Sequence, residues 1–185
     1  MLAMSVDIYL IRHGEASARW GDDPDPGLST RGRRQARQVR DKLESSTNLK
    51  TVSSPLLRAR ETALALANVQ REPMVLDETY REIPSPAGIP DRRAWISKLM
   101  KQNWEEQDPE ILLWRNTIWL SLFEIECHTA IFTHFMAINA VVGRLTGAPG
   151  TVCFVPDHGS ITRLRLDSHA LELVRLGHQH KTLVG

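Results

Sequence analysis

Val6-Asp7-Ile8-Tyr9-Leu10-Ile11 runs directly into Arg12-His13-Gly14-Glu15. A short apolar run of this kind reads as a buried strand. A cation, an imidazole and a residue permissive of close backbone approach thus meet where a strand ends. In an open α/β sheet, ligands collect at the carboxyl ends of strands, and these side chains suit the holding and attack of a phosphoryl group.

Beyond this stretch, Asp22 to Pro26 reads as a turn-rich loop with Pro24, Pro26 and Gly27 close together. Leu28-Ser29-Thr30 then offers an N-cap for a helix over roughly 31–43, with Ala36, Val39 and Leu43 on its apolar stripe. A short strand is expected over 49–53, and Ser54-Pro55 leads into a Leu- and Ala-rich helix at about 55–68. A strand near 74–76 precedes a proline-rich loop over 78–90. The segment at about 91–126 reads as two helices broken at Asp108-Pro109 and holds four of the five tryptophans. These are aromatic anchors on the body, with a pocket-shaping lid as the alternative.

Thr129-Ala130-Ile131-Phe132 is the next strand, and a helix over 136–145 closes at Gly147. Residues 151–155 and 160–166 are expected as strands around the turn Pro156-Asp157-His158-Gly159. Residues 171–176 add an edge strand, and the tail 177–185 is expected to be loose. Strands alternating with helices indicate an α/β fold, a three-layer α/β/α sandwich with a mostly parallel central sheet that the late strand pair makes mixed. At 185 residues the chain fits one domain, 1–185.

Hydrophobic residues are 42% and charged residues 24%, the composition of a soluble globular protein. Lys and Arg number 23 against 22 acidic residues, and a formal charge of +1 gives no global argument for nucleic-acid or membrane partners. Arg far outnumbers Lys, so local field matters where global charge does not. Cys127 and Cys153 both lie in strand-like stretches and read as buried free thiols. No stretch is long and apolar enough to span a bilayer, and Met1-Leu2-Ala3-Met4 opens no signal-type segment. A cytoplasmic location is expected.

His13 and His134 each follow an apolar strand directly, so both can point into one crevice. Arg58 lies one turn into a helix after a strand, where free N–H groups and a positive helix end suit an anion. Arg12 and Arg58 can grip phosphoryl oxygens through paired donors, a geometry Lys cannot reproduce. Arg60 reads as a solvated helix arginine, and Arg19 and Arg81 as surface residues with some reach toward the pocket. His158 reads as a turn residue that is structural or sits in the outer layer of the site, and His169, His178 and His180 as solvent-exposed.

These pieces, in this order, resemble the histidine phosphatase superfamily, also called phosphoglycerate-mutase-like. The resemblance covers about residues 6–166. Arg12-His13-Gly14-Glu15 resembles its signature, and Leu28-Ser29-Thr30-Arg31-Gly32 with Gln35-Ala36 its first helix start. Ser54 to Ala63 resembles its second arginine block, Arg81-Glu82 its acid position, Thr133-His134 its second histidine, and Gly159-Ser160-Ile161-Thr162 its late strand. The resemblance implies His13 as a nucleophile that becomes phosphohistidine. Arg12, Arg58 and His134 would hold the phosphoryl group with it, and Glu82 would protonate the leaving oxygen. Glu78, four residues earlier in the same loop, is the alternative acid. No metal or other cofactor is implied.

The departures bear on substrate. Ala16-Ser17-Ala18-Arg19 and Ile83-Pro84-Ser85-Pro86-Ala87-Gly88 lack the patterns of the mutase and cofactor-phosphatase branches, and Phe135 stands where glycine usually follows the second histidine. The expectation is a metal-independent phosphomonoesterase acting on a phosphorylated small molecule or phosphoprotein. A protein phosphohistidine phosphatase, a phosphoglycerate-mutase-like phosphotransferase and a non-catalytic phospho-ligand binder are the alternatives. Oligomeric state is left open.

Overall fold

The computed structural model describes residues 5–18, 23–46, 49–71, 73–168 and 170–179. Arg19, His169 and His180, and the expectations for Met1 to Met4 and the end of the tail, lie outside the described residues. Strands β1 (Val6–Arg12), β2 (Lys50–Ser53), β3 (Val75–Leu76), β4 (Thr129–Thr133), β5 (Ile161–Asp167) and β6 (Ala170–Arg175) form one sheet in the order β3-β2-β4-β1-β5-β6. The first four are parallel, β5 runs antiparallel to β1, and β6 runs antiparallel to β5. The helices are α1 (Thr30–Leu43), α2 (Leu57–Gln70), α3 (Arg92–Leu99), α4 (Pro109–Ser121) and α5 (Phe135–Thr146). The architecture is the expected three-layer sandwich on a mixed sheet.

Strand alternation assigns the two faces of β1. Ile11 packs with Val39 and Leu43 of α1, Ala63 and Leu66 of α2, and Phe132. Ile8 and Leu10 pack on the opposite face with Ile118 and Leu122 and with Ile138, Val141 and Val142 of α5. A third cluster, Ile83, Ile96, Leu99, Trp104, Ile111 and Met136, seats the tryptophan-bearing segment on the body. Burying a large apolar side chain contributes roughly 1.5–3 kcal/mol, so these clusters fix the sheet between its helices. The decisive register is between parallel β1 and β4, where Arg12 lies opposite Thr133. The next residue of each strand is a histidine.

Two helix starts are built by side chains near the site. Ser29 Oγ accepts Gly32 N–H at 2.9 Å and donates to Glu15 Oε1 at 2.7 Å, capping α1. Leu57 N–H, at the start of α2, donates to Asp25 Oδ1 at 2.9 Å. That helix begins two residues later than the sequence indicates, because Leu56 keeps extended backbone.

The expected strand 151–155 is not part of the sheet. Its backbone is satisfied elsewhere: Thr151 N–H donates to Gln102 O, and Cys153 and Phe154 N–H both donate to Asn139 Oδ1 of α5. The place beside β5 is taken by β6 instead. Between α3 and α4 the chain forms a 3-10 turn, Trp104–Glu106, which buries Trp104. Both cysteines are free as expected, but Cys127 is exposed and Cys153 half-buried, since neither lies in a strand. Among the described residues no helix is long and apolar enough to cross a membrane.

Candidate active site

His13 and His134 leave adjacent strand ends with ring centroids 5.1 Å apart, and both are buried. Arg58 Nε lies 3.2 Å from His13 Nε2. A guanidinium only donates, so Nε2 is the acceptor and the ring proton sits on Nδ1, 2.7 Å from Gly14 O. Burial, followed by Arg58 and Arg12, holds His13 well below its ordinary pKa. A neutral imidazole with its Nε2 lone pair facing a buried arginine is thereby fixed at the end of β1.

Gly14 is required by close approach. A Cβ there would lie 2.5 Å from Gly32 O, and a Cβ on Gly32 would collide with Glu15 O. Gly14 N–H donates to Thr62 Oγ1 at 3.0 Å, and Thr62 Oγ1 donates to Arg58 O at 2.7 Å. Thr62 therefore ties the histidine strand end to the helix that carries Arg58. Arg58 is itself buried and has Asp25 Oδ1 3.8 Å from its Nη1.

Arg12 is clamped from several sides. Its Nη1 donates to Pro156 O at 2.7 Å, its Nη2 to His158 Nε2 at 3.0 Å, and its guanidinium lies 5.2 Å from the Phe135 ring centroid. Its Nε is buried without a partner. Burial lowers Arg12 to about 10, against the pull of Glu82 and Asp157. Burial and then Arg12 push His158 down to about 4, so it stays neutral and accepts. Phe135, which stands where the resemblance leads one to expect glycine, supports Arg12 through cation–π contact.

Glu82 accepts Met136 N–H, at the start of α5, at 3.1 and 3.3 Å through its two carboxylate oxygens, and Ile83 N–H at 2.9 Å. Burial raises its pKa, opposed by those backbone N–H groups and by Arg58 and Arg12. Glu78 is exposed and pairs with Arg81 at 2.8 Å. The structure thus brings His13, His134, Arg12, Arg58 and Glu82 together and leaves Glu78 outside. Among the described residues no group of three or more His, Cys, Asp and Glu is placed to hold a metal ion.

Known proteins are similar to the stretch that carries Arg12, His13, Arg58 and Glu82. Residues 8–88 match the sequence model of the histidine phosphatase superfamily (branch 1). That stretch is similar to the histidine phosphatase superfamily. The chain is 33% identical over 92 residues to a probable phosphoglycerate mutase of Photorhabdus laumondii, a match covering 48% of this chain and 42% of that protein. It is 32% identical over 82 residues to one of Enterobacter, covering 42% and 38%. The match therefore spans about two-fifths of the length of these curated relatives.

Solved structures share the fold of nearly the whole chain. A phosphoserine phosphatase from Entamoeba histolytica, solved with 3-phosphoglyceric acid, superposes with a TM-score of 0.75 at 20% identity, covering 95% of this chain and 98% of that one. A mycobacterial glucosyl-3-phosphoglycerate phosphatase solved with inorganic phosphate gives 0.73 at 19%, covering 94% and 98%. At such identities the likeness is one of fold.

Sequence reasoning missed Ser54, Thr62 and Asp25, while His158, expected in a structural or supporting place, holds Arg12 from behind. Ser54 Oγ lies 2.7 Å from His134 Nε2 and accepts Leu56 N–H at 3.3 Å, while His134 Nδ1 is buried without a partner. Ser54 and Thr62 stand within the second arginine block, so their position was visible but their partners were not. The tryptophans anchor as expected: Trp104 is buried under Arg115, and Trp114 Nε1 donates to Arg81 O at 3.3 Å, beside Glu82.

Proposed function

We propose that this protein is a phosphatase that transfers the phosphoryl group of a phosphomonoester to His13 Nε2 and then to water. The observation that carries the reading is the fixed tautomer of His13, whose free lone pair faces Arg58 and adjoins His134. A neutral imidazole is the attacking form, and burial keeps His13 neutral at physiological pH. Arg58 Nε moves from that lone pair to a phosphoryl oxygen as phosphorus takes its place. Arg12 and Arg58 then offset charge on the transferring group, each preorganised donor being worth roughly 3 kcal/mol in the transition state.

Ser54 sets the tautomer of the second histidine. Its oxygen accepts Leu56 N–H, and among the described residues its own proton has no acceptor other than His134 Nε2. His134 then carries its ring proton on Nδ1 and donates from there to a phosphoryl oxygen. Burial, then His13, Arg58 and Arg12, keep His134 neutral, so it acts as a donor without adding a charge.

Glu82 supplies the proton. Its raised pKa lets it hold one close to the leaving oxygen. Nε2 forms a bond to phosphorus, the ester P–O bond breaks, and the leaving oxygen takes the Glu82 proton. Water then attacks phosphorus, gives a proton to the Glu82 carboxylate, and the P–N bond breaks to return neutral His13 and phosphate.

The relatives named as mutases match less than half of this chain. Residues 89–126, which flank Glu82, lie outside the family match, and the departures after Glu15 and Glu82 favour hydrolysis over retention of an acidic intermediate. An alkaline quench with a labelled phosphoester tests the mechanism, since phosphohistidine survives base. A labelled protein lost in His13→Ala is expected. Turnover with no trapped label, or full activity in His13→Ala, refutes it. Assay of the same preparation with a phosphoglycerate and with a phosphohistidine protein separates the mutase and phosphohistidine-phosphatase alternatives.

A further inference from the structure

Helix α1, Thr-Arg-Gly-Arg-Arg-Gln-Ala-Arg-Gln-Val-Arg-Asp-Lys-Leu, carries six cations against a single acid. Arg33 is near Glu61, and Arg40 pairs with Asp41 and Glu44. Arg31, Arg34 and Lys42 share a different face at helical spacing, and that face is one wall of a cleft of about 380 Å³. The other wall is the turn 157–160 with His178. Such a volume is in the range of small-molecule sites, roughly 300–1,000 Å³.

The cleft is built to a set width. Gly159 has a φ of +71°, and a Cβ there would stand 3.2 Å from Gln35 Cβ, so the turn is held directly against α1. Arg34 and Lys42 make no ion pair among the described residues, and Arg31 has a 3.5 Å contact with Glu15. Asp157 is the sole acid among the described lining residues, and its Oδ1 already accepts His158 N–H at 2.8 Å. Arg34 and Lys42, without an ion pair among the described residues, and Arg31 beside them line one wall of this concavity and give it a positive potential.

We propose that this cleft is a second anion site that binds a linear polyphosphate chain, free or as part of a nucleoside triphosphate. Arg31 to Lys42 spans about 16 Å of helix at 1.5 Å per residue. A lone phosphate touches one end of that row, whereas a chain of phosphoryl groups reaches several cations at once, with forked guanidinium donors along its length. His158 separates the cleft from the His13 site, lining the cleft while bonding Arg12. The site stands whether or not the phosphatase reading holds.

Calorimetric titration with tripolyphosphate, ATP and orthophosphate tests the proposal on the wild type, the double variant Arg34→Glu/Lys42→Glu and Arg58→Ala. Both cleft substitutions are at exposed positions, and circular dichroism checks that the fold is kept. Tripolyphosphate is expected to bind the wild type and Arg58→Ala alike, at least tenfold more tightly than orthophosphate. The double variant loses at least tenfold, and added salt weakens wild-type binding. ATP matching tripolyphosphate identifies the chain as the ligand, and ATP exceeding it identifies a nucleotide. No tripolyphosphate binding, equal affinity in the double variant, or a loss confined to Arg58→Ala overturns the proposal.

Discussion

Replacing Ser54 by alanine removes one hydroxyl from a fully buried position and leaves two groups without a partner, His134 Nε2 and Leu56 N–H. The imidazole nitrogen dominates the effect, because its bond is the shorter at 2.7 Å and His134 is itself buried. Leaving a buried polar atom unsatisfied costs roughly 1–3 kcal/mol, so the variant is expected to lose about that much stability to urea. The more telling loss is in catalysis. Without the Ser54 proton on Nε2, His134 shifts its own proton there and presents a bare Nδ1 to the phosphoryl oxygens, converting a donor into a repelling lone pair. Loss of one such donor is expected to lower kcat by about 10²–10³ with a smaller change in KM. Ring ¹⁵N shifts of His134 report the tautomer directly: Nδ1–H in the wild type and in Ser54→Thr, Nε2–H in Ser54→Ala. An Nε2–H resonance in the wild type, or an unchanged tautomer in Ser54→Ala together with the full loss of kcat, refutes the reasoning.

Glu82→Gln keeps an acceptor for Met136 N–H but no proton to give, so kcat for an alkyl phosphate is expected to fall by about 10²–10⁴. An aryl phosphate, whose leaving group needs no acid, should be affected far less, and equal losses on both would remove Glu82 from that role. Gly14→Ala places a Cβ 2.5 Å from Gly32 O, with backbone on both sides, so overpacking should cost about 1–3 kcal/mol. Thermal denaturation with an unchanged midpoint would contradict that fit. His13 and His134 have depressed folded pKa values, so the unfolded chain takes up protons first as pH falls through about 6.5. Stability should then drop by up to about 1.4 kcal/mol per pH unit for each histidine. Glu82, whose folded pKa is raised, contributes the opposite slope, so urea midpoints of Glu82→Gln compared between pH 7 and 6 isolate the histidine effect.

Most of the fold was legible because its signals are local. The apolar run of β1, the stripe Ala36, Val39 and Leu43, and the glycine closing α5 each depend on residues within a turn or two of one another. Segment 151–155 failed that logic: its alternating pattern suits a strand, but Asn139, a polar residue inside a helix, takes its N–H groups and β6 takes its place on the sheet. Cys127 was misplaced for a related reason, lying just before β4 rather than in it.

By itself the sequence determined the α/β alternation, the strand end that carries Arg12 and His13, and the residue types able to grip and attack a phosphoryl group. Tertiary structure decided which of those residues meet and in what protonation state. The β1–β4 register sets His13 beside His134, Arg58 fixes the His13 tautomer, Glu82 rather than Glu78 reaches the start of α5, and Phe135 and His158 clamp Arg12. Periodicity and capping act over a few residues and can be read along the chain. A lone pair's direction or a buried group's pKa depends on atoms brought in from distant segments, and only the closed sheet brings them together.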